Sequence, residues 1–482
     1  MEEISKNNSS QNSSISRRKF LKTTAATTAA FSIVPRFVLG GSNYVAPSEK
    51  INVALIGAGG QGTYDMKNLI QFPEVQYIAV ADPMLEWDYS KFYFGGWAGR
   101  KPAKQTIEDY YAKQKDMGSY KGCNIYEDFR EMLDKEKDID AVTVETTDNV
   151  HAVAAMAALK KGKHVYCQKP LTHDVYEARA LMKKAREAGV ATQMGNQGHA
   201  MEGIKLTWEW YHAGAIGEVR EVHCWTDRPG RHWSQAIEMP TEIPSVPRVL
   251  NWNLWLGPAR FRPYHPMYCP FNWRGFYDYG TGALGDMGCH IIDIPMWVLD
   301  LGSPVSIESV CNTPYKNEIY PVASMIRYEF PKRNNQPPVT MTWYDGGLMP
   351  FRVKELEEGR RMGDRDGGIL LVGDEGVLMA GVYGDSPRLI PESAMKKFPV
   401  PPKTLKRTEG IYKEWVDACR GGEKASSNFD VSGVLSEIVI LGNVALRFPN
   451  QRLDYDGENM EVTNIKEANQ YLKREYFGGW SL

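Results

Sequence analysis

Short apolar runs alternate with longer amphipathic stretches from Lys50 to about Asn196. Runs at 51–56, 75–81, 139–145, 164–167 and 191–194 predict strands. Stretches at 63–70, 150–161 and 174–188 predict helices, the last closed by Gly189. Strands buried on both faces read as continuous apolar runs, so the alternation predicts a parallel sheet covered by helices on either side. The texture changes after Gly195. A helix is predicted at 203–212 and an alternating strand at 219–225, then a loop rich in proline and tryptophan from Pro229 to Arg274. Alternating strands at 305–311, 325–330, 339–344, 368–372 and 377–380 lack long helices between them, which predicts an open, mostly antiparallel sheet. The fold class expected is α/β, with the parallel sheet in residues 47–196 and a second α/β domain in 197–482.

The first apolar run leads directly into Gly57-Ala-Gly59-Gly60-Gln61-Gly62 and then into a helical stretch. Strand, glycine turn and helix in that order are what a Rossmann dinucleotide-binding domain needs. Gly57 permits the tight turn, Gly59 lets backbone N–H groups approach a pyrophosphate, and Gly62 lets the helix pack closely on the strand. The helix N-terminus adds partial positive charge for the phosphates. The second run ends in Asp82, twenty residues beyond Gly62, where a carboxylate accepts hydrogen bonds from an adenosine ribose. No arginine adjoins Asp82-Pro83-Met84 to meet a 2′-phosphate, which favours NAD over NADP. A glycine-rich turn with no ligand is the plainer alternative.

At 482 residues the chain is long enough for two domains, and a formal net charge of -2 points to no nucleic-acid or membrane-surface partner. Seven scattered cysteines without a C-x-x-C pair make neither a disulfide framework nor a thiolate zinc site, and read as small buried apolar groups. The N-terminus is a different kind of object. Ser16-Arg17-Arg18-Lys19-Phe20-Leu21-Lys22 precedes a weakly apolar stretch from Thr23 to Val34, and the pair of arginines resembles a twin-arginine export signal. The stretch is too short and polar to span a bilayer. Residues 1–46 are therefore expected to be signal and linker, and the mature chain to be exported, to the periplasm, without a transmembrane span. The insert at 86–122 is unusually aromatic (Trp87, Tyr89, Phe92, Tyr93, Phe94, Trp97) and is expected to decorate the site or an interface.

Gln168-Lys169-Pro170 lies at the carboxyl end of a predicted strand, where open α/β sheets place their ligands. A lysine there can donate to a substrate hydroxyl; an exposed lysine in a turn is the plainer reading. In Gly280-Thr-Gly-Ala-Leu-Gly-Asp286-Met-Gly-Cys-His290-Ile-Ile-Asp293, Asp286 and His290 are four apart and share one helix face. A neutral histidine can take a proton from a carbinol while its hydride leaves, and a nearby carboxylate can orient the ring. A core histidine satisfied by Asp286 is the alternative. No third histidine or H-E-x-x-H pattern supports a metal site, so no metal is expected.

In this order the glycine turn, Asp82, Lys169-Pro170 and the Asp286–His290 segment resemble the Gfo/Idh/MocA oxidoreductase family, over roughly residues 50–391. The resemblance implies a Rossmann domain followed by an α/β domain with an open sheet, NAD as cofactor, and hydride transfer from a ring hydroxyl of a carbohydrate or cyclitol. It carries the family's catalytic lysine, aspartate and histidine onto Lys169, Asp286 and His290. Two departures stand out. Gln168 replaces the family's usual glutamate, and Thr147-Asp-Asn149-Val-His151 stands where many relatives have Thr-Pro-Asp and paired histidines. Thr147, Asn149, His151, Gln168, Lys169 and Asn196 join the glycine turn and Asp82 as expected cofactor contacts. Exported relatives include NAD-recycling glycosidases that oxidise C3 and eliminate the aglycone; this chain lacks their His-Gly-Leu-Gly-Pro stretch. That chemistry and a non-catalytic sugar-binding role are the alternatives.

Sugars are held by aromatic faces together with polar groups. Arg228, Trp273, Arg274 and Tyr277, with Asp286 and His290, are the expected substrate contacts, and Asn196-Gln-Gly-His199, Arg231, His232 and Trp233 flank the same cleft. Trp252 and Trp255 are expected to serve packing. A homodimer or homotetramer built through the open sheet is also expected.

Overall fold

The computed structural model describes residues 45–46, 49–92, 94–115, 117–234, 238–311 and 318–482. Apart from Val45 and Ala46, the expected signal and linker lie outside these residues. Residues 49–482 form one compact unit built around two sheets.

The first sheet is wholly parallel and has the order β5-β2-β1-β6-β7-β8. Its strands are β1 (Ile51–Ile56), β2 (Val75–Ala81), β5 (Asn124–Tyr126), β6 (Ala141–Val144), β7 (His164–Cys167) and β8 (Thr192–Met194). Between β2 and β5 the short strands β3 (Trp87–Asp88) and β4 (Trp97–Ala98) make a separate hairpin. Helices Gly60–Leu69 and Arg100–Gln114 bury Met66, Leu69, Ala103 and Ile107 against Val53, Leu55 and Tyr77 on one face. Helices Phe129–Lys135, Asp148–Lys160 and Val175–Ala188 cover the other, around Ile56, Ala79 and Val142. Asp174 and Glu177 close a reciprocal capping box at the start of the last helix, and Gly189, left-handed at φ 63°, ends it.

The second sheet has nine strands, in the order β15-β14-β13-β9-β12-β11-β10-β16-β17. They are β9 (Val219–Thr226), β10 (Ser306–Cys311), β11 (Ser324–Phe330), β12 (Val339–Tyr344), β13 (Gly367–Gly373), β14 (Val377–Ala380), β15 (Arg388–Ile390), β16 (Arg452–Asp456) and β17 (Glu461–Val462). Every pairing is antiparallel except that of β9 with β12. Helices Gly282–Ile291 and Phe429–Ala445 cover one face, packing Leu284, Met287, Ile438 and Val439 with Ile326, Tyr328, Met341 and Trp343. The opposite face leaves Val310 and Met325 exposed.

The chain then returns to the first sheet. Helix Ile411–Cys419 places Ile411, Trp415 and Val416 in the same core as Val53, Tyr77 and Tyr166. The Tyr412 hydroxyl donates to Asp65, 347 positions earlier in the chain.

Candidate active site

The carboxyl ends of β1, β2, β6 and β7 open into one continuous cleft. Gly57, Gly59, Gly60, Gln61, Asp82, Thr147, His151, Gln168, Lys169, Trp273, Arg274 and Asp286 line it. The glycine turn has the geometry a dinucleotide needs. Gly57 has φ +92°, and a Cβ on Gly62 would lie 2.1 Å from the Gly57 carbonyl oxygen, so helix and turn touch backbone to backbone. No side chain caps the helix that begins at Gly60, so its first N–H groups can receive a pyrophosphate. Tyr89 and Phe94, from the aromatic insert, roof Gly59 and Gly60.

Asp82 follows β2 and accepts from the Ala58 N–H at 2.6 Å and the Met84 N–H at 2.7 Å. Burial pushes its carboxyl up to about 6, against the pull of these bonds and of Arg100. Gln168 does not stand alone either. Its Nε2 donates to Asp65 at 2.6 Å, and Asp65 also accepts from Gln61 and Tyr412. Glu145, buried against the cleft, is raised well above the usual carboxylate range by burial and by Asp65.

At the other end Lys169, which precedes a cis proline, donates to both the side chain and the carbonyl of Asp286 at 2.9 Å. Arg228 Nε and Arg274 Nε each lie 3.7 Å from the same carboxylate. Burial alone would raise Asp286, but Lys169, Arg274 and Arg228 outweigh it and hold the carboxyl far below its usual range. Arg274 also lies 4.2 Å from the Trp273 ring centre. Asp227 and Asp366, with His232, bring possible metal-ligand atoms within 4.8 Å of one another. Arg228 and Arg231 pair with these carboxylates at 2.6 and 2.7 Å, so the cluster anchors Arg228 beside Asp286.

His290 corrects one expectation. It shares the helix Gly282–Ile291 with Asp286, but no hydrogen bond joins them, and Asp286 orients Lys169 instead. The His290 ring is buried with Nδ1 lacking a partner, and burial together with Lys169 and Arg228 lowers its pKa to about 3. It is neutral at physiological pH.

Like His290, five other expected contacts lie off the cleft lining. Arg228 is one, held beside Asp286 by Asp227 at 2.6 Å. Asn149 accepts from Thr147 and donates to the Leu256 carbonyl, which spends both ends of its amide on a seam. Asn196 donates to Asp293 and accepts from Ser427, and His199 pairs with Asp293 at 2.9 Å. Tyr277 packs at a tilt against Tyr320 and under Arg447. Gly62 acts from behind the turn, through packing. His151 does line the cleft, but its two ring nitrogens face the carbonyl oxygens of Pro170 and Thr146. Conversely, Trp255, expected only to pack, forms part of the wall, as do Met84, Phe129, Asp148 and Trp480.

Residues 104–196 match the family model described as the oxidoreductase family's NAD-binding Rossmann fold, and residues 226–332 match that family's C-terminal α/β domain. The chain belongs to the Gfo/Idh/MocA oxidoreductase family. Among curated Gfo/Idh/MocA-like relatives, levoglucosan dehydrogenase of Pseudarthrobacter phenanthrenivorans is 24% identical over 183 residues, 38% of each chain. The NAD(+)-type scyllo-inositol 2-dehydrogenase of Bacillus subtilis is 29% identical over 147 residues, 30% of this chain and 35% of that one. The chain thus spans little more than a third of these relatives' length. The fold match reaches further. The WlbA dehydrogenase of Bordetella pertussis, solved with NADH and UDP-GlcNAcA, superposes with a TM-score of 0.54 at 14% identity, covering 84% of this chain and 99% of that one.

Proposed function

We propose that the protein is an NAD-dependent dehydrogenase acting on a ring hydroxyl of a carbohydrate or cyclitol, with residues 47–196 holding the cofactor and 197–482 the substrate. The observation that carries this reading is one uninterrupted cleft, with an uncapped glycine turn and Asp82 in its walls alongside the Lys169–Asp286 pair. When bound, NAD supplies the hydride acceptor. The Gly59–Gly62 backbone seats the pyrophosphate and Asp82 the adenosine ribose. Lys169, fixed by Asp286, donates to the substrate hydroxyl and polarises its O–H bond. His290, one helical turn beyond Asp286, is the proposed proton acceptor, though burial beside two cations makes it a weak base. Trp273 and Arg274 offer the stacked aromatic and guanidinium surface that sugar rings use. The names of the relatives, dehydrogenases of an anhydrosugar and of an inositol, support this substrate class.

The test is to titrate NAD calorimetrically and then follow NADH formation with a panel of pyranoses, anhydrosugars and cyclitols. Lys169→Ala is expected to lower kcat by at least ~100-fold, a larger effect than its change in NAD affinity. A variant that turns over at the wild-type rate would remove the mechanism.

Export by the twin-arginine route and assembly through the exposed face of the second sheet complete the proposal. Arg17 and Arg18 support the first, and the exposed Val310 and Met325 the second. Among the described residues no helix is long and apolar enough to cross a membrane. Replacing both arginines by lysine should retain the protein in the cytoplasm, and sedimentation should show a dimer or tetramer.

A further inference from the structure

The cleft has two chemically different ends. In the sheet order, β1 with its glycine turn lies in the middle, Lys169 follows β7 on one side, and β2 and β5 lie on the other. A dinucleotide whose pyrophosphate sits on the turn, with its reactive ring towards Lys169, must send its adenosine half past Asp82 towards the end of β5. There the lining combines the apolar side chains of Met84, Phe129, Leu254, Trp255 and Trp480 with the carboxylates of Glu127 and Asp128.

Trp480 is the unexpected member. It belongs to the segment after Tyr476, far in sequence from every other wall of the cleft. Two hydrogen bonds tie that segment to the rest of the chain: the Phe477 N–H donates to the Pro258 carbonyl, and Lys160 Nζ donates to the Leu482 carbonyl. Within the segment, the Trp480 N–H donates to the Phe477 carbonyl. The Trp480 ring lies 5.6 Å from that of Phe129, and the Arg130 guanidinium sits 4.0 Å over it. Arg130 is in turn fixed by Asp128, the N-cap of the helix it sits on. A large ring so braced, and still part of the cleft wall, is a preorganised surface for a flat heterocycle.

We propose that the C-terminal segment is a clasp for the cofactor, in which Trp480 forms the outer wall of the adenine pocket opposite Met84 and Asp82. This rests on the cofactor reading above. It adds a binding residue that the glycine turn and Asp82 do not imply. Bases stacked on tryptophan lose roughly tenfold or more in affinity when the ring is truncated to alanine.

Calorimetric titration of NAD, ADP-ribose and nicotinamide mononucleotide separates the two halves of the cofactor. Trp480→Ala should weaken NAD and ADP-ribose by about tenfold or more and leave nicotinamide mononucleotide unchanged. Trp480→Phe, which keeps an aromatic face and guards against a folding defect, should stay within a few-fold of wild type. An alanine variant that holds ADP-ribose as tightly as wild type overturns the clasp. So does equal weakening of all three ligands, or a phenylalanine variant as weak as the alanine one. A wild-type chain that binds neither NAD nor ADP-ribose removes the cofactor reading itself, and the clasp with it.

Discussion

Gln168 stands where the family usually has glutamate, and its neighbours supply a reason. Asp65 and Glu145 already put two carboxyl groups in one buried cluster, and the Gln168 amide donates to Asp65. A third carboxyl there would remove a donor and add a like charge. Gln168→Glu is therefore expected to cost roughly 2–4 kcal/mol. Because the new carboxyl would titrate above its unfolded value, the loss should be full at pH 8 and shrink as pH falls towards 5, which thermal melts at the two pH values would show. Asp82 has the opposite consequence for the ligand. Its raised pKa means that stability is gained as pH falls through about 6, yet a ribose needs the ionised form as acceptor. NAD affinity should fall about tenfold for each pH unit below that value, and calorimetry at pH 5.0 and 7.5 would test it. At this scale the sequence is only partly legible. Lys169 and Asp286 were recognisable from local motifs. Asn149, Asn196 and Tyr277 have suitable chemistry, but their partners at Leu256, Ser427 and Tyr320 lie far along the chain.

Elements with a single buried stripe or a strict alternation are the ones the pattern predicts. The five parallel strands and six alternating strands that the pattern predicts fall near their expected places, whereas the short strands β5, β15, β16 and β17 are not predicted. Helix Phe429–Ala445 escapes because it is buried on nearly every side, and such a run has no polar face to reveal its period. Helix Arg100–Gln114 escapes for the converse reason. It buries only Arg100, Ala103, Ile107 and Tyr111, inside an insert dominated by aromatic and basic residues. The turn between β1 and its helix was legible because glycines mark it directly. Gly62→Ala would drive a methyl into the Gly57 carbonyl and should cost ~1–3 kcal/mol. The same shift would move the phosphate-binding N–H groups, so melting temperature and NAD affinity should fall together.

For the whole molecule, the decisive packing is the return of late residues to the first sheet. Trp415 is 1% exposed and lies edge-on to Tyr166, with ring centres 5.7 Å apart. Trp415→Ala should cost ~3–5 kcal/mol. Since the lost ring belongs to the core of β1 and β2, differential scanning calorimetry should still show one transition, moved to lower temperature. No local pattern announces this contact, because hundreds of residues and seven of the nine strands of the second sheet, β9 to β15, intervene between its partners.

That arrangement has a consequence for how the chain comes into being. As it leaves the ribosome, the parallel sheet emerges first, yet the surface destined for Trp415 stays uncovered until β9 to β15 of the second sheet have been made. The cleft likewise lacks the wall supplied by Trp480. If Trp480 clasps the cofactor as proposed, cofactor capture belongs after synthesis, and a nascent chain stalled before residue 411 would leave uncovered the apolar surface that Ile411, Trp415 and Val416 pack against.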